Sequence, residues 1–230
     1  LRAIADFAKR YNLIAVCDNT FCSPVVQRPL EYGFDIVVHS ATKYLNGHSD
    51  MIGGVAVCSS NRTDLAEKIR FLSNSIGSIM SPFDSFLVTR SLKTLSLRME
   101  RHCKNAQSIA EFLEGHGGID KVLYPGLKSH PQYKLANEQM NGYGGMISVI
   151  VKGGLQRAVK FVESTELFAL AESLGGVESL VEHPAIMTHA SVPKDIRDKI
   201  GIVDGLVRLS VGIETMDDLL IDLEHALDAD

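Results

Sequence analysis

The sequence predicts an α/β protein that continues into a smaller α+β region. In the first part of the chain, short apolar runs typical of buried strands alternate with stretches in which apolar residues recur at helical spacing. This alternation favours a largely parallel sheet. After Gly117-Gly118, three strand-like runs and two helical stretches indicate a few strands with helices on one face. The change of pattern predicts two domains.

Apolar spacing predicts the helices and strands of the first part. A helix is expected over residues 1–11, and a further helix from residue 61, with Asn61 or Thr63 as its N-terminal cap. Strands are predicted over residues 13–17, 36–38 and 53–58.

A long helical pattern follows residue 81. It runs for about 30 residues, which exceeds the usual helix of a globular protein and suggests a connection between domains. We therefore place the boundary near Arg101 and divide the chain into residues 1–101 and 102–230. In the second region strands are predicted over residues 120–126, 145–151 and 206–211, and helices over residues 155–163 and 216–227.

Composition excludes several classes of function. The chain has 230 residues, 45% of them hydrophobic, and a net charge of −5, so a general nucleic-acid binder is not expected. No apolar stretch approaches the ~18 residues of a membrane span. The first residues have no apolar core of a signal peptide, and we expect a cytoplasmic protein. The four cysteines and eight histidines show no metal-ligand spacing, so no metal site is expected.

The stretch from Asp35 to Asp50 carries the clearest chemical signal. An apolar run leads into a polar turn with two hydroxyls, Ser40 and Thr42, followed by Lys43. Partial burial behind a strand lowers the pKa of a lysine amine and makes it a nucleophile towards carbonyl groups. Such lysines commonly bind the aldehyde of pyridoxal 5'-phosphate, whose phosphate the two hydroxyls could contact. A solvated loop also fits this short pattern.

A second signal lies upstream, at Asp18. This residue follows the strand predicted over residues 13–17, and in open α/β sheets ligands bind at the carboxyl ends of strands. A carboxylate at that place can keep the pyridine nitrogen of the cofactor protonated. The sequence therefore predicts an acid and a lysine at the ends of two successive strands.

Arg208 lies inside an alternating strand pattern in the second region. A guanidinium is costly there unless it meets an anion. It is suited to binding an α-carboxylate through two parallel hydrogen bonds. A salt-bridged or exposed strand arginine fits the pattern equally well.

Four motifs together resemble one known family. They are Asp18-Asn-Thr-Phe, the stretch Ser40-Ala-Thr-Lys-Tyr-Leu-Asn-Gly-His-Ser-Asp50, Ser173-Leu-Gly-Gly, and Arg208-Leu-Ser-Val-Gly-Ile-Glu. In this order they resemble the Cys/Met-metabolism family of fold-type I pyridoxal-phosphate enzymes, which includes cystathionine γ-lyase, γ-synthase and β-lyase. The resemblance covers essentially the whole chain.

The resemblance implies a role for each motif. Residues 1–101 would form the C-terminal part of the large cofactor-binding domain, and residues 102–230 the smaller domain. Lys43 would be the catalytic residue, and an amino acid the substrate of a homotetramer built from dimers. Cofactor-binding roles fall to Asp18, Thr20, Ser40, Thr42 and Lys43, and substrate-binding roles to Ser173, Arg208 and Glu172.

The expected reaction is γ-elimination on cystathionine, with γ-synthase and β-lyase as alternatives. In the resembling family, a glutamate before this serine is associated with γ-carbon chemistry, and Glu172 occupies that position. A solvated loop acid is the other reading of Glu172. Lys43 would remove the α-proton while Arg208 and Ser173 hold the carboxylate.

The resemblance also implies that the chain is part of a longer protein. In the family, a long N-terminal portion precedes the strand bearing the aspartate, and it supplies a tyrosine that stacks on the cofactor. We therefore expect that activity depends on that portion. A folded but non-catalytic fragment, which binds its complementary segment or dimerises, is the alternative to an active enzyme.

Overall fold

The computed structural model describes residues 1–229 and forms two compact units. Unit 1 consists of Leu1–Ser96 with Gln139–Asn141, and unit 2 of Leu97–Glu138 with the residues from Gly142 onwards. The division falls near the start of a helix that contains Arg101. The assignment of these units to functional domains stays a prediction.

Unit 1 is built on a three-stranded sheet. Its strands, in the order β1-β2-β3, are β1 (Val16–Asp18), β2 (Ile36–Ser40) and β3 (Gly54–Cys58). The first two are parallel, with Asp18 opposite Val38, and β3 is antiparallel to β2. The described sheet is therefore mixed. The strand predicted over residues 13–17 begins later, at Val16.

Unit 1 also contains helices of 4 to 14 residues. Two buried residues of α1, Ala5 and Ala8, form an apolar cluster with Ala15 and Phe34. The predicted N-terminal cap of α3 is wrong: Arg62 occupies the cap position without capping the helix, and its guanidinium binds Asp35 and Asp64 instead. The helices are α1 (Arg2–Arg10), α2 (Ser23–Val26), α3 (Thr63–Ile76) and α4 (Pro82–Ser91), with a 3-10 turn at Pro29–Tyr32 and a π-helical turn at Ala41–Leu45.

The long helix predicted after residue 81 is not continuous. Helix α4 ends at Ser91, a 3-10 turn covers Leu92–Thr94, and α5 runs over Leu95–Gly115. The Thr94 hydroxyl donates to the Ser91 carbonyl at 3.1 Å. Such local side-chain bonds compete with regular helix geometry, which explains a break that apolar spacing does not reveal.

Unit 2 contains a five-stranded sheet in the order β4-β5-β8-β7-β6, antiparallel except for the β6–β7 pair. The three predicted strands are present, and sequence reasoning missed two strands of only two and three residues. The strands are β4 (Ile119–Leu123), β5 (Met146–Val151), β6 (Ala169–Leu170), β7 (Leu180–Glu182) and β8 (Leu206–Ser210). The helices other than α5 are α6 (Tyr133–Gln139), α7 (Gly154–Ser164), α8 (Lys194–Lys199) and α9 (Met216–Asp228).

The core of unit 2 lies on one face of this sheet. Alternate residues of β8, Val207 and Leu209, join side chains from α5, α7 and α9 in the buried cluster. Because successive side chains of a strand point to opposite faces, Arg208 and Ser210 lie on the other face. In residues 1–229, no helix is both long and apolar enough to cross a membrane.

Candidate active site

Three predicted residues meet where β1 and β2 end. The Thr20 hydroxyl donates to Oδ1 of Asp18 at 2.6 Å, and the Thr20 N–H donates to the same oxygen at 2.9 Å. The N–H of Ser40 donates to the Thr20 hydroxyl at 2.9 Å. Asp18 is exposed while Thr20 is buried. The structure therefore presents an accessible carboxylate that is fixed by two donors at one of its oxygens.

Lys43 lies on the π-helical turn that follows β2. The Asn46 N–H donates to the Ala41 carbonyl at 3.0 Å, and the Gly47 N–H donates to the carbonyl of Lys43 at 2.7 Å. Ala41, Tyr44 and Leu45 are buried, whereas Lys43 is half-buried. The backbone of Lys43 itself is not helical, with φ −89° and ψ −135°, so the turn is kinked at the lysine. The apolar neighbours anchor the turn and leave the lysine at its partly accessible side.

The hydroxyl of Thr42 is engaged with the segment leading into β3. It accepts the N–H of Gly53 at 3.1 Å and lies 3.4 Å from the Gly53 carbonyl. Thr42 can therefore donate to a ligand only if it releases its long contact to that carbonyl. Ser40 is half-buried at the end of β2.

Sequence reasoning assigned no role to the residues that follow the lysine turn, and the structure joins them to α4. The Ser91 hydroxyl lies 3.3 Å from Oδ1 of Asn46 and 3.2 Å from Nδ1 of His48. The same Nδ1 lies 2.6 Å from the Asn46 carbonyl, which only accepts, so Nδ1 carries the proton. Asn46 also donates to Asp50 at 2.6 Å. The spacing of polar residues at 46, 48 and 50 was the only available signal.

In unit 2, Arg208 faces a residue that sequence reasoning missed. Glu182 of β7 is its direct partner in the strand register, and Nη2 of Arg208 lies 3.0 Å from Oε2 of Glu182. The Glu182 side chain is 1% exposed and that of Arg208 is 22% exposed. The salt-bridged strand arginine is therefore present. A glutamate directly after the apolar pair Leu180-Val181 was the signal for it.

The loop with Glu172 and Ser173 is attached to the end of β8. Gly175 has a φ of +76°, a left-handed conformation that favours glycine, and its N–H donates to the Ser210 hydroxyl at 2.9 Å. The N–H of Ile213 donates to the Val177 carbonyl at 2.9 Å. These bonds hold the loop beside the strand of Arg208.

A family model supplies the decisive comparison. The model described as Cys/Met metabolism PLP-dependent enzyme matches residues 1–228. The chain belongs to this family.

Members of the Cys/Met metabolism family with different names are similar to this chain. A cystathionine beta-lyase of Coxiella burnetii is 62% identical over 227 residues, which are 99% of this chain and 58% of that protein. A structure of cystathionine gamma-lyase from Lactobacillus plantarum with L-serine has a TM-score of 0.94 at 49% identity, covering 100% of this chain and 60% of that chain. A cystathionine gamma synthase structure from Xanthomonas oryzae pv. oryzae also has a TM-score of 0.94, at 47% identity. The match covers 98% of this chain and 58% of that chain.

These comparisons confirm the predicted fold class and the family resemblance. The chain spans about three-fifths of the length of these relatives. Each printed activity belongs to the relative that carries the name, and the three names differ. The family is therefore established, while the particular reaction is not.

Pyridoxal 5'-phosphate is the cofactor of the Cys/Met metabolism family, and the residues of unit 1 fit it. The exposed Asp18 carboxylate can accept the N–H of a pyridinium ring. The half-buried Lys43 carries the amine that the aldehyde requires, and Ser40 lies at a strand end where a phosphate can accept its hydroxyl. The donor set therefore agrees with the cofactor that the family uses.

Proposed function

We propose that the protein catalyses pyridoxal-phosphate-dependent γ-elimination on cystathionine, with Lys43 as the catalytic residue. The observation that supports this most directly is the position of Lys43. It lies on a kinked turn just beyond β2, and the parallel neighbour of β2 ends in the fixed carboxylate of Asp18. When bound, the cofactor supplies an electron sink for the charge that develops at the α-carbon.

The site residues of unit 1 have the following roles in this proposal. Asp18 keeps the ring nitrogen protonated, and Ser40 and Thr42 bind the phosphate. Lys43 holds the cofactor and then accepts the α-proton at Nζ as general base.

Two residues of unit 2 bind the amino acid. The Arg208 guanidinium binds the α-carboxylate, and Ser173 assists it. Cleavage of the bond between the γ-carbon and sulfur releases cysteine, and the remaining four-carbon skeleton takes up water and leaves as 2-oxobutyrate and ammonia. Glu172 precedes Ser173, and this position is the basis for preferring γ-carbon chemistry.

β-Elimination is the second candidate. The 62% identity to a protein named cystathionine beta-lyase favours it. γ-Replacement is a third, favoured by the similarity to the gamma synthase structure. Product analysis separates the candidates: γ-elimination gives cysteine and 2-oxobutyrate, β-elimination gives homocysteine and pyruvate, and γ-replacement consumes an activated homoserine together with cysteine.

The homotetramer and the cytoplasmic location belong to the same proposal. Both rest on the sequence and on the family resemblance. Size-exclusion chromatography with light scattering measures the first directly, and a mass of about four chains is the expected result. A monomer would contradict it.

The experiment that tests the cofactor site is borohydride trapping. The purified chain with added pyridoxal phosphate is reduced, digested and mapped, and a pyridoxyl adduct on Lys43 is expected. Lys43→Ala should abolish both the adduct and the turnover of cystathionine. The matched control is Lys68→Ala, which removes an exposed lysine of α3 and should change neither. A folded chain without an adduct would favour the non-catalytic fragment.

A further inference from the structure

The pair formed by Glu182 and Arg208 carries an inference beyond the roles of the predicted residues. The two residues are direct neighbours across the β7–β8 ladder, so their side chains lie on the same face of the sheet. Nη2 of Arg208 is 3.0 Å from Oε2 of Glu182. Glu182 is nearly fully buried, and Arg208 keeps part of its side chain exposed. The glutamate end of the pair is therefore shielded from solvent, and the arginine end is partly accessible to it.

The contact leaves most of the guanidinium available. It is an ion pair that joins one nitrogen to one oxygen, and Oε2 of Glu182 has no aligned hydrogen bond with residues 1–229. The other oxygen, Oε1, lies 3.3 Å from the Thr188 hydroxyl, which donates to it. An arginine has five N–H groups, and a bidentate carboxylate needs only two of them.

Stability alone does not account for a buried glutamate here. Burial raises the pKa of Glu182, and the positive charge of Arg208 and the hydrogen bond from Thr188 oppose this change. Buried ion pairs contribute little net stability compared with apolar residues of similar size. A role in holding the arginine explains the pair better.

We propose that Glu182 is a positioning residue that binds Nη2 of Arg208 from the buried side and directs the remaining N–H groups of the guanidinium to the exposed side. This inference rests on the proposed function, in which those groups bind the α-carboxylate of the substrate. Glu182 itself does not touch the substrate.

A second carboxylate lies near the pair. Glu172 is exposed, and its negative charge also raises the pKa of Glu182, so it lies within electrostatic reach of Glu182. The ion-pair contact of Arg208 is nevertheless with Glu182, which holds the guanidinium from the buried side.

The test compares two variants of Glu182, one that changes the length of the side chain and one that changes its charge. Glu182→Asp keeps the charge and shortens the side chain, and Glu182→Gln keeps the length and loses the charge. If the role is positioning, Glu182→Asp raises KM for L-cystathionine about tenfold, because small displacements of a binding group are costly. Glu182→Gln stays within about threefold of the unchanged chain, and kcat changes little in both. Glu163→Ala, which removes an exposed acid of α7, is the control.

Arg208→Lys separates failure of this inference from failure of the proposed function. If Arg208→Lys leaves KM unchanged, the proposed role of Arg208 is wrong and the inference with it. If Arg208→Lys raises KM while Glu182→Asp does not, only the inference is overturned. A larger effect of Glu182→Gln than of Glu182→Asp also overturns it. In the double variant Glu182→Asp with Arg208→Lys, we expect the logarithm of KM to rise by less than the sum of the rises in the two single variants.

Discussion

The Thr20 hydroxyl holds Oδ1 of Asp18 at 2.6 Å and at the same time accepts the N–H of Ser40 at 2.9 Å. One side chain therefore couples the ends of two parallel strands. The Thr20 hydroxyl and the Thr20 N–H both donate to Oδ1 and so fix the orientation of the carboxylate. The geometry around Asp18 is thus set by a residue that need not touch the cofactor.

Replacing Thr20 tests this coupling. Thr20→Val removes the hydroxyl donor to Asp18, keeps the backbone donor, and leaves the N–H of Ser40 without its acceptor, so the free energy of unfolding should fall by about 1–3 kcal/mol. Affinity for pyridoxal phosphate should fall as well, as measured by titration of its visible absorption. Thr20→Ser keeps the hydroxyl and is the matched control. Equal affinities in the two variants would contradict the role of the hydroxyl.

The contacts of Ser91 predict an effect on the lysine turn. Ser91→Ala removes the hydroxyl that lies within hydrogen-bond distance of Asn46 and His48, directly after the π-helical turn. The yield of borohydride-trapped Lys43 should fall. Ser85→Ala in the same helix is the control, and quantitative peptide mapping makes the comparison. If both variants trap cofactor like the unchanged chain, the turn does not depend on α4.

Gly212 follows the strand of Arg208, and a side chain there has no room. A Cβ at this position would lie 2.4 Å from the Val177 carbonyl oxygen and 2.7 Å from the backbone of Glu178. Gly212→Ala should therefore displace the loop attached to β8 and cost about 1–3 kcal/mol of unfolding free energy, as measured by urea denaturation. Gly115→Ala, at the end of α5 with open space around it, is expected to be neutral or stabilising. Equal behaviour of both variants would argue against the close approach.

His102 predicts how stability depends on pH. It is fully buried, its Nδ1 donates to the Val211 carbonyl at 2.7 Å, and burial lowers its pKa from 6.5 to about 4. Below pH 6.5 the unfolded chain takes up a proton that the folded chain refuses. The free energy of unfolding should therefore fall between pH 6.5 and pH 4, by about 3 kcal/mol from this residue. His102→Gln should flatten that dependence, whereas His225→Gln, which changes an exposed histidine, should leave it unaltered.

Local patterns predicted much of the fold. The apolar alternation of β5 and β8 located both strands within about one residue, since one face of each strand lies in the core. Strands β6 and β7 were not predicted, because a run of two or three residues is too short to show the alternation of apolar and polar residues. The interruption between α4 and α5 escaped because it depends on Thr94 bonding to the backbone of Ser91.

Some residues of the candidate site could likewise be predicted from the sequence, and others could not. Asp18, Lys43 and Arg208 were identifiable because each is a polar side chain at the end of, or within, an apolar strand. Glu182 and Ser210 act through neighbours that are distant in sequence, and only the strand register and the hydrogen bond to Gly175 reveal them. Their roles depend on tertiary pairing, which spacing along the chain does not contain.

The alternation along β8 makes core formation and the arginine site interdependent. Val207 and Leu209 lie in the core, and Arg208 is on the opposite face. Deleting one residue within Leu206–Ser210 would rotate every later side chain to the other face, so that a charged or polar side chain would point into the apolar core. Single-residue insertions and deletions in this strand should therefore eliminate folding and ligand binding together, even where individual substitutions are tolerated.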